Sequence, residues 1–248
     1  MSNTNDTGHS KNVSNFKTLI VKANGFGGSY NPSNASIKVQ ALEDLALSAQ
    51  ESIDVLDANM PAYLLAVDER QMAFEPISKL STAILNSLKS SGANKSIIAD
   101  ASSMTKKIKG IRITSKKTEE EKQALKEQGK EVKEISTSQQ SYDMIVENFG
   151  KLISFLSNVS EYNPNEEHLK ITVLTDISSK LKVLNDNAAK VYEIINNARI
   201  ARNKVLYNEQ TGLVDIAQSV KAYVKSVFNA GSVEAKQIAA ISFKREKI

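Results

Sequence analysis

The sequence predicts an all-α protein, an elongated helical bundle built from two similar helical modules joined by a long helical connector. Glycine and proline are sparse, with 10 and 4 in 248 residues, so little interrupts a helix. Apolar residues recur at spacings of three and four over long stretches, the period of an amphipathic helix. The tripeptide Tyr-Asn-Pro begins at Tyr30 and again at Tyr162, a shift of 162 − 30 = 132 residues. A fixed shift of this kind is typical of repeated modules.

The residues that follow each Tyr-Asn-Pro match at the same offsets. The matching pairs are Ile37 with Leu169, Lys38 with Lys170, Leu42 with Leu174, Asp44 with Asp176 and Leu45 with Ile177. We therefore predict an internal duplication, with a first helical module over residues 30–110 and a second over residues 162–248.

The segments outside the modules differ in composition. Residues 1–29 are rich in Ser, Asn, Thr and Gly, which predicts a flexible N-terminal tail. Residues 111–161 form the charged helical connector, which begins as a solvated helix with few apolar residues. From Tyr142 onward the connector gains an apolar stripe that predicts a return to the core: Ile145, Phe149, Leu152, Leu156 and Val159.

Each module is expected to open with its longest helix. Pro32 and Pro164 suit the first helical position, because proline is favoured there. In the second module an apolar stripe runs from Leu174 to Ala198 in coiled-coil-like spacing. The first module has a looser stripe that meets Pro61, which is expected to break or bend its helix.

Two further helices complete each module. Apolar spacing predicts one helix over about 77–88 in the first module and one over about 213–224 in the second. Gly92 and Gly231 follow these runs, and glycine just past a periodic run is typical of a helix end. Shorter helices are expected over roughly 95–109, ending at Gly110, and roughly 232–243.

Composition excludes several classes of site. There is no cysteine, which rules out disulfides and thiolate chemistry. The first residues lack the apolar region of a secretory signal, and no uncharged apolar run approaches the roughly 18 residues of a membrane span. We therefore expect a cytoplasmic protein with no membrane span and no cofactor.

Catalytic constellations are hard to assemble from this chain, which predicts that it is not an enzyme. There are two histidines. His9 lies in the predicted tail and is expected to be disordered there. His168 lies beside Glu166 and Glu167, but residue 165 is Asn, so the Glu-x-x-His pattern of helical metal sites is not formed. A surface role is the simpler interpretation of His168.

A basic cluster is the main candidate binding site in the sequence. The net charge is +4, and residues 101–117 contain no acid. Such a cluster can bind phosphates or an acidic partner, and the simpler alternative is a solvated helix end whose cations complement the helix dipole. With one arginine and no aromatic residue, it would contact only the backbone of a nucleic acid. The cluster consists of Lys106, Lys107, Lys109, Arg112, Lys116 and Lys117.

Two arginines mark the second long helix. Arg199 and Arg202 lie three residues apart, and Arg202 falls on the apolar stripe itself. A cation on such a stripe is costly unless it is paired, so Arg202 is a candidate for fixing helix register with an acidic residue. The alternative is that the two arginines face a ligand or another subunit.

Three functions are compatible with this sequence. The favoured one is a non-enzymatic helical scaffold or assembly protein that binds a protein partner or itself. The first alternative is a nucleic-acid or anionic-surface binder that uses the basic cluster at 106–117. The second alternative is a membrane-active helical protein that inserts after rearranging.

Overall fold

A computed structural model describes residues 6–111 and 140–245, together with residue 123. All the secondary structure of this part of the chain is helical, which confirms the all-α prediction. The α-helices are α1 (Asp6–Gly25), α2 (Val39–Phe74), α3 (Ile77–Ser90), α4 (Lys95–Ile108), α5 (Tyr142–Leu156), α6 (Ile171–Tyr207), α7 (Leu213–Phe228) and α8 (Val233–Ala239).

The described N-terminal residues form a helix where the sequence predicted a tail. In α1, the side chains of Val13, Phe16, Leu19 and Ala23 are at most 2% exposed. Their spacing of three and four places them on one face of the helix. The Ser and Asn residues between these positions face outward or bond to neighbours, so a polar composition is compatible with a packed helix.

The two long helices begin later than the prolines suggested. Short 3₁₀ turns, Ala35–Ile37 and Glu167–Leu169, come first, and α2 and α6 start two residues after them. The Tyr30 hydroxyl donates to the carbonyl oxygen of Ile37 at 2.6 Å, and the Tyr162 hydroxyl donates to that of Leu169 at 2.9 Å. Both tyrosines are buried, so each hydroxyl satisfies a carbonyl where the chain changes from turn to helix.

Helix α2 passes through Pro61 without ending. Proline removes one backbone hydrogen bond, a loss that usually breaks or kinks a helix. Here the turns around it are held by packing, because Leu56 is buried in a small cluster with Ile195 and Ala198, and Met60 packs against that cluster. Pro61 itself is exposed.

Glycine ends two helices as predicted. Gly92 follows α3 with a φ of 83°, and Gly110 follows α4 with a φ of 67°. Both values lie in the left-handed region that side chains disfavour, and glycine is the usual residue at such helix ends.

The chain divides into two compact units. The first combines Met1–Tyr63 with Val191–Ile248, and the second is Leu64–Lys190. These boundaries differ from those of the two modules, because each unit takes residues from both of them. In the first unit, apolar residues of α1 and α2 share a core with residues of α7 and α8, among them Phe16, Leu42, Leu213 and Val220.

The second unit has its own core. Ile84 and Leu88 of α3 pack with Ala101 of α4, Phe149 and Leu152 of α5, and Leu174 and Leu181 of α6. Among the described residues of both units, no helix is both long enough and apolar enough to cross a membrane.

Candidate interaction surface

The part of α2 in the first unit has one buried side and one exposed side. Leu42, Ala49 and Leu56 are at most 2% exposed and form the inner side. The outer side carries large apolar residues with more than half of their surface exposed: Leu47 is 61% exposed and Val55 is 52% exposed.

Carboxylates surround these two apolar residues. At 100° per residue, the outer positions fall within about a third of a turn of the helix circumference, so they share one surface. We call this surface the acidic face; all its residues are exposed, and they are Glu43, Asp44, Leu47, Glu51, Asp54, Val55 and Ala58.

The charge of the acidic face is not balanced along its own helix. Residues 39–69 contain seven acidic residues and no Lys, Arg or His. Among the described residues, the ion pairs formed do not involve any carboxylate of α2. Asp44 accepts a hydrogen bond from Gln40 at 3.0 Å, and Asp54 accepts one from Gln50 at 2.9 Å. Lys17 of α1 lies nearby and donates to Gln50 at 2.8 Å.

Exposed apolar side chains among exposed charges of one sign can contact a partner of opposite charge. The apolar residues supply buried area, whereas the carboxylates favour cationic partners and speed their encounter. In the second unit, the remaining part of α2 likewise exposes Leu65 and Met72 beside Asp68 and Glu69.

The basic cluster is only partly described. Lys106 and Lys109 are half-buried and Lys107 is exposed, at the end of α4. The Lys109 ammonium donates to the hydroxyl of Thr82 at 3.1 Å. Gln140 donates to the carbonyls of Lys107 and Ile108, both at 3.3 Å, which ties this helix end to the start of α5. The other three members of the cluster, Arg112, Lys116 and Lys117, lie outside the described residues.

The two arginines of α6 differ in their surroundings. Arg199 is half-buried, whereas Arg202 is 5% exposed. Arg202 donates to the side-chain oxygen of Asn203 from Nε at 3.2 Å and from Nη2 at 3.0 Å. This geometry places Arg202 in the interior of the first unit, and its role in register stays a prediction.

Sequence reasoning missed a second arginine, the half-buried Arg70, which lies 202 − 70 = 132 residues before Arg202. Arg70 lies in the second unit, where its guanidinium carbon is 4.1 Å from the centroid of the Tyr142 ring. It donates from Nη1 to Asn185 at 3.3 Å, and Asn185 donates to Asp143 at 2.6 Å. Its Nε is buried, and no described group accepts a hydrogen bond from it. Applying the 132-residue shift to Arg202 would have found it.

A polar network around His9 was also missed. His9 is 1% exposed, and its Nδ1 shares a hydrogen bond of 2.7 Å with the Tyr207 hydroxyl. Asn12 donates to the same hydroxyl at 3.3 Å, donates to the carbonyl of Lys244 at 2.7 Å and accepts from the Lys244 N–H at 3.0 Å. These bonds attach α1 to the C-terminal segment. The predicted disorder of His9 is therefore wrong, because the ring is packed inside the first unit.

The remaining polar groups do not gather into a metal centre. Among the residues that the structure describes, no three His, Asp or Glu side chains are grouped so that they could hold a metal ion. His168 is exposed on the turn before α6. Asp215 accepts the Gln210 N–H at 2.9 Å and also pairs with Arg245, and these bonds lower the pKa of its carboxyl group.

Comparison of the chain with protein-family models, curated proteins and solved structures finds no match in any of the three.

Proposed function

We propose that this protein is a non-enzymatic helical scaffold or assembly protein, and that the acidic face of α2 is its main contact surface. The observation that carries the proposal is the exposure of Leu47 and Val55 within a row of carboxylates that have no cationic partner on their own helix. A long, well-packed helix holds these side chains in fixed positions, so a partner would meet a surface that needs little ordering.

We further propose that the two modules arose by duplication and that both serve this scaffold. The hydrogen bonds of Tyr30 to Ile37 and of Tyr162 to Leu169 support this. The donor and the acceptor of the second bond each lie 132 residues after their counterparts in the first. The arginines at 70 and 202 add a third matched position.

The alternatives from the sequence stay predictions. A nucleic-acid or anionic-surface binder would rely on the basic cluster, of which Lys107 is the exposed member among those described. Such binding would weaken steeply with salt, so a salt titration with an unrelated duplex DNA tests it. Membrane activity and a cytoplasmic location also remain untested predictions; leakage from lipid vesicles would test the first.

Size-exclusion chromatography with light scattering across a dilution series tests the proposed function. We expect the wild-type mass to rise above the 27.1 kDa of one chain as concentration increases. The variant L47S/V55S replaces both exposed apolar residues and removes about 2 kcal/mol of the free energy gained when they are buried in the contact. We therefore expect association to weaken by a factor of roughly 30.

The matched control is V183S, which removes a side chain that is 65% exposed on α6. It should leave the association unchanged. A wild-type mass of 27.1 kDa at every concentration would contradict self-assembly, and equal weakening by V183S would contradict the choice of surface.

A further inference from the structure

We propose that the acidic face of α2 in one copy of this protein binds the basic segment 106–117 of a second copy. This inference rests on the proposed function and names the partner of that surface. The contact would be head-to-tail, because the two surfaces that meet are different, so it can extend into larger assemblies or close into a ring.

The charges of the two surfaces are complementary. The basic segment carries six cations in twelve residues, and residues 101–117 contain no acid. The acidic face carries four carboxylates between Glu43 and Asp54, on a helix without a base from 39 to 69. Opposite single-sign surfaces of one chain attract each other between copies, and they repel a like surface of a second copy.

The two surfaces also match in length. From Glu43 to Ala58 the helix rises about 22 Å, at ~1.5 Å per residue. The basic segment begins with the last turn of α4, which includes Lys106 and Lys107, and a chain of twelve residues covers at least ~17 Å at the rise of a helix, so it is long enough to reach along much of the acidic face. Along this face the carboxylates of Glu43, Glu51 and Asp54 form one row at spacings of eight and three residues.

Apolar residues accompany the charges on both sides. Ile111 is 49% exposed directly after Gly110, where the chain leaves α4. In the sequence Ile113 follows, with Arg112 between the two isoleucines and Lys109 two residues before them. Leu47 and Val55 can receive these side chains, which gives the contact a component that salt does not screen.

A peptide measures the contact directly. A dye-labelled peptide of residues 104–117 is titrated with the full-length protein, and binding is followed by fluorescence anisotropy. The variant E43Q/E51Q/D54N keeps the size of each side chain and removes three charges. We expect it to weaken binding about tenfold, because it removes three ion pairs of the strength usual for exposed pairs.

The matched control removes three exposed carboxylates from α6, as D176N/D186N/E193Q. It should leave peptide affinity within about twofold. Equal weakening by both triple variants, or no weakening by either, would overturn the proposal, since net charge alone or some other surface would then explain the binding. Equal binding of a scrambled peptide would overturn it as well, because the apolar spacing would be irrelevant.

A charge exchange tests the contact between whole chains. One variant carries E43K/E51K/D54K and the other carries K107E/R112E/K116E. Alone, the first variant has cations on both surfaces, and the second has a 106–117 segment with no net charge, so we expect each to stay at the mass of a single chain. When the two are mixed, the unchanged basic segment of the first can meet the unchanged acidic face of the second, and we expect light scattering to show a complex. Circular dichroism checks that both variants keep the helical content of the wild type.

These outcomes separate the two proposals. If the wild type associates and L47S/V55S weakens it, but K107E/R112E/K116E associates normally, the partner named here is wrong and the function of the acidic face stands. If the wild type stays monomeric and the peptide does not bind, both this inference and self-assembly are wrong.

Discussion

Removing one hydroxyl from each of two tyrosines tests whether the turns before α2 and α6 are held in the same way. The hydroxyls of Tyr30 and Tyr162 donate to the carbonyl oxygens of Ile37 and Leu169. Tyr30→Phe or Tyr162→Phe keeps the ring in place and leaves a carbonyl oxygen without this donor at the start of a long helix.

The structure sets the size of the effect. The two rings are 7% and 6% exposed, so water does not readily replace the lost hydroxyl. Leaving a buried polar group without its partner costs about 1–3 kcal/mol, and we expect about 1.5 kcal/mol for each variant. The two sites belong to different compact units, so their effects should add to about 3 kcal/mol in the double variant.

Urea unfolding followed by circular dichroism measures these free energies. For a chain of this length each single variant should also lower the melting temperature by about 3–6 °C. The control is Tyr192→Phe, which alters a tyrosine that is 45% exposed on α6. It should change the free energy of unfolding by less than about 0.5 kcal/mol.

Unequal results would refute the reasoning. If Tyr30→Phe is as mild as the control while Tyr162→Phe is costly, the two turns are not equivalent. If both are as mild as the control, the hydroxyls do not stabilise the turns at all.

Three further predictions concern pH, a helix end and the C-terminal segment. Burial raises the pKa of both Tyr30 and Tyr162 to about 12 from 10.0. The contribution of their hydroxyl groups to the free energy of unfolding is therefore complete below pH 10 and is lost as pH rises toward 12. Urea unfolding should show that the difference in this free energy between the wild type and the double Phe variant closes over that range. In thermal unfolding, Gly110→Ala should lower stability more than Gly92→Ala. Both positions have a positive φ, but only at Gly110 would the added methyl group also meet the Gln140 side chain, at 2.7 Å. Equal losses of stability would contradict this. Asn12→Ala removes two hydrogen bonds to the C-terminal backbone, which together contribute about 2 kcal/mol. Hydrogen exchange at residues 241–245 should become roughly 30-fold faster. Unchanged exchange would show that other contacts hold this segment.

The sequence allowed the helices with strong apolar periods to be predicted. The stripe from Leu174 to Ala198 lies within α6, and glycine correctly marked the ends of α3 and α4. Both signals are local, since they depend on spacing within one helix and on the backbone preference of one residue. The acidic face could have been predicted in the same way, because its carboxylates recur at helical spacing along α2.

Contacts over long distances in sequence could not be predicted. His9 bonds to Tyr207, 198 residues away, and no local pattern joins the two. Helix α1 was missed because composition outweighed the spacing of Val13, Phe16 and Leu19, and the packing that secures this helix comes from residues near the other end of the chain. The break predicted at Pro61 is also wrong, because tertiary packing outweighs a local helix-breaking preference, whereas the predicted bend there stays a prediction.

The make-up of the two hydrophobic cores has a consequence for how the chain tolerates cleavage. Each hydrophobic core contains residues from both sides of the segment 112–139. A protease cut there would yield two fragments, and each fragment would carry about half of both cores. Neither fragment could bury its apolar residues alone, so the pair should stay together and co-expressed halves should reassemble. Each hydrophobic core is therefore complete only when both halves of the chain are present.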